Sequence, residues 1–314
     1  MAHAAVHGAH PSGVSLAYET ALTGSRVISR VVDVRGQRVH VLESGSGPPV
    51  LLLHGTLSPS PFWLPLLNVL PSVHAFAVDR PGQGRSDPID LATARRSDSA
   101  VSWVEGVMDA LDLRAATIVG HSMGGLWALR LAQAHPERVD RVCVIGAPAL
   151  PGTQAPWPFR VLATPGLGWA ASRIPPSEKA VRGFASAIGE AAGIDHHPEL
   201  IALMIAVGRD RLAQQTGRAE VRCIVSPRAL LSRSGFKREA MMSASELRGI
   251  RVPGLYVCGA DDPVGGAVSV RRICEMTRGS DFALVPGGHV PWLGDAHAVA
   301  APMLRWMSGS ASAS

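Results

Sequence analysis

A serine at the apex of a glycine-rich turn is the residue of this chain best suited to covalent chemistry. Residues 120–125 read Gly-His-Ser-Met-Gly-Gly, directly after an apolar run and directly before a helical pattern. This order predicts a strand, a sharp turn and a helix, with Ser122 held out above the end of the strand. Gly120 and Gly124 lack the side chains that would crowd such a turn. The amide of Met123, at the start of the helix, is then placed to stabilise a developing oxyanion.

Two further residues supply the acid and the base that a serine nucleophile needs. The strand-like segment 254–259 is followed by Asp261 and Asp262, and Pro263 keeps the second aspartate out of helical geometry and in a loop. We therefore favour Asp262 as the acid and interpret Asp261 as a turn residue. His289 stands in a glycine-rich loop after the last predicted strand. That position gives it no packing role and suits a general base that takes the proton of the serine.

A second oxyanion donor follows the apolar run 50–53, which predicts a central strand. The strand ends at His54-Gly55-Thr56, and the backbone N–H of Thr56 would lie near the serine turn. His54 itself is an alternative catalytic histidine. Because it precedes the serine in the chain, we interpret it as a residue that braces the loop by hydrogen bonding.

These segments together resemble the α/β-hydrolase superfamily, in its capped esterase, lipase and carbon–carbon-bond hydrolase branch. The matching blocks occur in the family's order, at residues 51–55, 78–86, 120–125, 259–263 and 288–289. The resemblance implies a doubly wound α/β fold with a mostly parallel eight-stranded sheet. It also implies the catalytic triad Ser122, Asp262 and His289, in the chain order of that fold. Epoxide hydrolases and haloalkane dehalogenases of this fold carry an aspartate at the nucleophile position, so Ser122 excludes them.

The domain organisation follows from the spacing of the predicted strands. Strand patterns lie at 31–34, 38–41, 50–53, 74–78, 115–119, 141–146, 254–258 and 281–285, with helical patterns in most of the gaps. We predict a core over 26–150 and 243–308, a helical cap over 151–242, a disordered N-terminus at 1–25 and a flexible tail at 309–314.

The predicted cap is where this family builds most of its substrate pocket. Its aromatic residues make Trp157 and Trp169 candidates for substrate binding. The alternative is that such residues pack the small core of the cap itself.

Composition bounds the remaining possibilities. The 314 residues are 46% hydrophobic with a net charge of +5, and the basic residues, almost all of them arginine, are scattered along the chain. We expect no nucleic-acid partner, no membrane span and no secretory signal, and therefore a cytoplasmic location. We expect no cofactor, and no metal at the cluster 195–197, because its adjacent histidines point to different faces.

These features predict acyl transfer to water, with a small and largely apolar carboxylic ester or thioester as substrate. A carbon–carbon-bond hydrolase or a lactonase is the alternative among enzymes. A ligand receptor or a non-hydrolytic biosynthetic catalyst on the same scaffold is the alternative of another class. The oligomeric state is left open by the sequence.

Overall fold

The sheet that the apolar runs predict is present in the computed structural model, which describes residues 13–89, 96–171, 173–174 and 176–309. Its strands are β1 (Ile28–Val34), β2 (Gln37–Ser44), β3 (Pro49–Leu53), β4 (His74–Val78), β5 (Ala116–His121), β6 (Val139–Ile145), β7 (Gly254–Gly259) and β8 (Ser280–Val285). They form one eight-stranded sheet in the order β1-β2-β4-β3-β5-β6-β7-β8. The pairs β1–β2 and β2–β4 are antiparallel and the other pairs are parallel. The predicted fold class is thereby confirmed.

The central strands are apolar at every position because both faces of the sheet are covered. In β3, Val50 and Leu52 belong to one hydrophobic core, and Leu51 and Leu53 belong to the core on the other face. All four side chains are fully buried. Continuous apolar runs of this kind are typical of parallel sheets that lie between two helical layers.

The helices of the main layers flank this sheet, and a further group follows β6. The helices outside that group are α1 (Gly13–Leu22), α2 (Leu64–Leu67), α3 (Arg96–Ala110), α4 (Met123–Ala134), α11 (Ala244–Arg248), α12 (Gly266–Met276) and α13 (Ala296–Met307). Short 3-10 turns lie at Ser60–Trp63, Pro136–Arg138, Ala229–Leu231, Arg238–Ala240 and Pro291–Leu293. Within the described part of the chain, no helix combines the length and the apolarity that a membrane crossing requires.

The segment between β6 and β7 is helical, as the sequence indicates. It holds α5 (Trp157–Ala163), α6 (Leu167–Ala171), α7 (Glu178–Ala187), α8 (Ala191–Asp195), α9 (Pro198–Arg209) and α10 (Arg211–Ile224). We call residues 151–242 the insertion. Its assignment as a cap with those boundaries stays a prediction.

The N-terminal prediction is wrong for residues 13–22, which form α1 rather than a disordered segment. Val14, Ala17, Tyr18 and Ala21 are buried along one face of this helix. The Tyr18 hydroxyl donates to the carboxylate of Asp79 at 2.5 Å, and α1 packs against α9. Contacts distant in sequence therefore stabilise this helix and its buried apolar face. Residues 1–12 and 310–314 lie outside the described residues, so neither terminal prediction is addressed there.

Candidate active site

Ser122 lies at the turn between β5 and α4, as its glycine-rich surroundings predict. Its backbone has φ 50° and ψ −115°, in the left-handed half of the conformational map that non-glycine residues rarely occupy. A Cβ atom at Gly120 would overlap the carbonyl of Gly124, and a Cβ atom at Gly124 would overlap the carbonyl of Leu53. Both glycines are therefore needed for the turn to close against the end of β3. The result is a strained serine at the carboxyl edge of the sheet.

His289 and Asp262 form a buried pair at the ends of the last two strands. The imidazole Nδ1 lies 3.1 Å from Asp262 Oδ1 and 3.0 Å from Oδ2. Asp262 Oδ1 also accepts the amide of Val264 at 2.8 Å, which fixes the carboxylate in its loop. Asp261 is exposed and contributes only its backbone amide, to the carbonyl of Gly287. The structure thus brings Asp262, and not Asp261, to the histidine.

Ser122 and His289 line one cavity together with Thr56 and Met123. Since Nδ1 of the imidazole faces Asp262, Nε2 is the ring nitrogen left to exchange a proton within the cavity. Among the described residues, Ser122 Oγ has no hydrogen-bond partner, so the hydroxyl is available to a ligand. Catalytic hydrogen bonds of this kind are commonly long in free enzymes and tighten when substrate binds.

Two backbone amides are available beside the serine. Within the described part of the chain, neither the Thr56 nor the Met123 amide donates to a protein acceptor. The next amide along, that of Leu57, donates instead to Gln83 Oε1 at 2.9 Å, and Leu57 has φ 61°. The Leu57 amide is thus already bonded, whereas the Thr56 amide is free among the described residues. Thr56 and Met123, which the sequence predicts as oxyanion donors, both line the cavity, and their role as donors stays a prediction.

His54 lies beneath this loop and outside the cavity. Its Nε2 accepts the amide of Arg80 at 2.8 Å, and its Nδ1 lies 2.6 Å from the carbonyl of Gly55. Burial, assisted by the charge of Arg80, lowers the pKa of the imidazole to about 4. The side chain is thus neutral and bound on both nitrogens, as expected for a residue that braces the loop.

A buried ion pair below the loop joins the core to the insertion, and sequence reasoning missed it. The Arg80 guanidinium binds both carboxylate oxygens of Glu220 on α10, and Arg80 Nε donates to the His54 carbonyl at 2.7 Å. Gln83 Nε2 reaches the same carboxylate at 3.1 Å. Burial acts to raise the pKa of Glu220, but the Arg80 charge outweighs it and holds the pKa below its ordinary value. The carboxylate and the guanidinium therefore stabilise each other as ions.

A second buried carboxylate, Glu190, holds the histidine loop, and it was also missed. Its Oε1 accepts the amide of Gly288 at 2.9 Å and the amide of Val290 at 2.7 Å, on either side of His289. The His289 amide itself donates to the carbonyl of Ile188 at 2.9 Å. Glu190 is only 2% exposed, and burial raises its pKa to about 7. No motif marks this residue, because its partners are backbone amides distant in sequence.

The cavity wall is largely apolar, and the insertion supplies much of it. Its members from the insertion are Pro156, Phe159, Phe184, Ala185, Ile188, Glu190, Ile194, Met204, Ile224 and Phe236. None of the described residues that line the cavity is an arginine or a lysine. The described wall therefore offers an anionic ligand no arginine or lysine as a counter-charge.

The structure does not bring the two predicted tryptophans to this cavity. Trp157 is 62% exposed and Trp169 is 59% exposed, and neither lines the wall. Helix α5 turns Phe159 inward instead and leaves Trp157 at its solvent-facing start. Residue type alone identifies a bulky apolar side chain but not the face of a short helix on which it lies.

The cluster at 195–197 is used in ordinary contacts. Asp195 pairs with Arg182, and His197 bonds the Glu199 carboxylate and the carbonyl of Leu293. Among the described residues, no group of three or more His, Cys, Asp or Glu side chains is arranged to hold a metal ion.

Comparison with known proteins identifies the family of the chain. A model of the alpha/beta hydrolase family matches residues 50–301. The chain belongs to the alpha/beta hydrolase family. This confirms the resemblance that the five sequence blocks indicate.

Curated relatives of this chain match it over a shorter stretch. It is 36% identical over 152 residues to a 2-hydroxy-6-oxononadienedioate/2-hydroxy-6-oxononatrienedioate hydrolase of Burkholderia vietnamiensis, which covers 46% of the chain and 50% of the relative. It is 34% identical over 142 residues to a 2-hydroxymuconate semialdehyde hydrolase of Pseudomonas sp., and this match covers 42% of the chain and 50% of the relative. The chain spans about half the length of the curated relatives it matches.

The fold extends over nearly the whole chain. The crystal structure of a carboxylesterase from Bacillus subtilis superposes with a TM-score of 0.75 at 23% identity, covering 94% of the chain and 97% of the esterase. At that identity, the likeness establishes the shared fold.

Proposed function

We propose that this alpha/beta hydrolase is a serine hydrolase that cleaves a carboxylic ester or thioester of a small, largely apolar substrate. The observation that carries the proposal is the cavity shared by a strained Ser122 and by His289, whose Nδ1 is held by the buried Asp262. An acid-oriented histidine beside a serine is the arrangement that acyl transfer requires. The amides of Thr56 and Met123 complete it.

In the proposed reaction, His289 Nε2 takes the Ser122 proton as Oγ attacks the substrate carbonyl. The Thr56 and Met123 amides stabilise the oxyanion, and Asp262 stabilises the imidazolium. His289 then protonates the departing alcohol or thiol, which leaves an acyl group on Ser122. A water molecule, deprotonated by His289, hydrolyses this acyl-enzyme and releases the acid.

The names of the curated relatives favour a second candidate, a carbon–carbon-bond hydrolase. The substrate in the first relative's name is a dicarboxylate, and burying a carboxylate is costly unless a cation or several donors compensate it. The cavity wall, as far as it is described, has no arginine or lysine, and its buried carboxylate Glu190 would oppose an anion once ionised. We therefore rank an uncharged ester or thioester above an anionic carbon–carbon-bond substrate.

The proposal is tested by labelling and turnover of Ser122→Ala beside Ser58→Ala. Ser58 is a matched control because it lines the same cavity with a hydroxyl that has no hydrogen-bond partner among the described residues. We expect a fluorophosphonate to add once, on Ser122. Ester turnover by Ser122→Ala should fall by several powers of ten, to about the low rate that the oxyanion donors alone support. Ser58→Ala should keep labelling and turnover. Undiminished hydrolysis by a folded Ser122→Ala protein would refute the mechanism.

A paired-substrate assay separates the two candidate activities. Neutral aryl esters are compared with esters of the same acyl length that end in a carboxylate. We expect the neutral ester to be turned over at least about tenfold faster, since the carboxylate would enter the cavity without a counter-charge. Preference for the anionic ester, or turnover of a vinylogous diketone acid alone, would favour the carbon–carbon-bond hydrolase. Labelling without turnover of any substrate would favour a non-hydrolytic role.

A further inference from the structure

The net positive charge of the chain lies entirely in the insertion. Residues 151–242 contain twelve arginines and lysines against seven aspartates and glutamates, which equals the net charge of +5 of the whole chain. Two of the seven carboxylates, Glu190 and Glu220, are buried. The outer surface of the insertion therefore carries a larger net positive charge than the composition of the insertion gives. In the rest of the chain, the positive and negative charges are equal in number.

Part of this charge is gathered in one surface groove. Arg173, Arg209, Arg211 and Arg218 line it together with Ile174, and no acidic residue is among its described lining. None of the four arginines pairs with a carboxylate of the described residues. Like charges that face one groove without counter-charges repel one another, so an anion in the groove would be bound favourably.

Large apolar side chains line this groove or adjoin the arginines that line it. Trp169, Ile174 and Leu212 are 59%, 69% and 44% exposed. The Arg173 guanidinium lies 3.5 Å from the ring centroid of Trp169, which joins α6 to the groove. Leu212 follows Arg211 at the start of α10. The arginine patch, defined as Trp169, Arg173, Ile174, Arg209, Arg211, Leu212 and Arg218, thus combines cations with exposed tryptophan and aliphatic side chains.

We propose that the arginine patch docks on the surface of a lipid bilayer that contains anionic phospholipids. Arginines would meet the lipid phosphates, and Trp169, Ile174 and Leu212 would enter the boundary between headgroups and acyl chains. Trp169 and the arginines could also contact a nucleic acid, but the exposed aliphatic side chains of Ile174 and Leu212 favour the lipid surface, because they would be buried among acyl chains and gain nothing from bases or phosphates. The spread of four arginines along a groove decides against a single small anion. This binding is independent of the chemistry at Ser122.

Vesicle co-sedimentation tests the proposal with the full chain. Vesicles of phosphatidylcholine with about 30% phosphatidylglycerol are compared with vesicles of phosphatidylcholine alone. We expect binding to the anionic vesicles only, weakened by added salt. The variant R173Q/R209Q/R211Q/R218Q should lose about fivefold in affinity for each arginine, and more than about a hundredfold in total.

The matched control removes the same charge elsewhere. Arg114, Arg251, Arg272 and Arg278 are exposed residues outside the insertion, and none pairs with a carboxylate among the described residues. The variant R114Q/R251Q/R272Q/R278Q should bind the anionic vesicles within about threefold of the unaltered chain, and W169A should bind measurably more weakly. Circular dichroism and thermal melting confirm that each variant is folded.

Several outcomes would overturn the proposal. Equal losses in the two quadruple variants would show attraction to net charge without a docking surface. Equal binding to both kinds of vesicle would show that the anionic lipid is not needed for binding. Release from vesicles by millimolar inorganic phosphate, at constant ionic strength, would indicate a small-anion site. Tighter binding to duplex DNA than to vesicles, lost in the patch variant, would make the groove a nucleic-acid site.

Discussion

Replacing Glu190 by glutamine should remove a pH-dependent loss of stability from the folded protein. The glutamate is 2% exposed, and its Oε1 accepts the two amides that flank the proposed catalytic histidine. Burial raises its pKa from an ordinary value of 4.5 to about 7. A glutamine keeps a carbonyl oxygen for both amides but has no proton to lose. The substitution therefore separates the hydrogen bonds from the titration.

The sign and the size of this change in the free energy of unfolding follow from proton linkage. Between pH 4.5 and about 7 the folded protein keeps the proton of Glu190, while the unfolded chain has lost it. Because the folded state binds more protons in this window, its free energy of unfolding falls as the pH rises. At about 1.4 kcal/mol for each pH unit, the total loss is about 3 kcal/mol. The contribution of the residue is complete below pH 4.5 and is gone above about pH 7.

Urea denaturation at a series of pH values from about 4 to 8 measures this loss in the unaltered chain and in Glu190→Gln. The quantity of interest is the difference between the two free energies of unfolding, since the titration of other groups such as the buried His54 cancels in it. We expect the difference to change by about 3 kcal/mol in favour of the glutamine variant as the pH rises through the window. Glu275→Gln, which removes an exposed carboxylate on α12, controls for the lost charge.

Two results would refute this reasoning. A difference that stays constant with pH would mean that Glu190 ionises alike in the folded and unfolded states. A difference that moves against the glutamine variant would mean that the folded protein favours the carboxylate, and that the two amides outweigh burial.

The remaining predictions concern the proposed triad, the ion pair beneath the loop and the cavity wall. Asp262→Asn should lower kcat by about 10⁴, because the histidine loses its orienting carboxylate, whereas Asp261→Asn should change it little; equal effects in steady-state assays would contradict the assignment. Glu220→Ala should lower the free energy of unfolding by about 3–5 kcal/mol, because it leaves a buried guanidinium unpaired, and an unchanged urea midpoint would oppose this. Phe159→Ala should shift the ranking of an ester chain-length series by about tenfold or more, whereas Trp157→Ala should leave the ranking unchanged.

The strands and the serine turn could be predicted because their causes are local. A strand covered on both faces needs apolar residues at every position, so Val50 to Leu53 stand out as a run. The turn needs glycines where backbone segments meet, and Gly120 and Gly124 record that requirement in the sequence. The choice of Asp262 also had a local cause, the proline that follows it.

Helix α1 and the two tryptophans could not be placed in this way. Tyr18 is buried where its hydroxyl donates to Asp79, 61 residues away, and no local pattern contains that partner. Trp157 begins a helix of seven residues, which is too short for a periodic pattern to reveal its buried face. Tertiary contacts, and not residue type, decide both positions.

The same reasoning explains why the two buried carboxylates of the insertion, Glu190 and Glu220, were missed and what they contribute. Glu220 binds Arg80, which donates a hydrogen bond to the His54 carbonyl at the start of the loop of Thr56. Glu190 accepts the amides on either side of His289. The groups proposed to do chemistry lie on loops of the core, yet each of these two loops is held by a side chain from the insertion. A change within the insertion can therefore alter the position of the proposed base or of an oxyanion donor, in addition to the shape of the cavity. Substitutions there should be judged by kcat as well as by substrate preference.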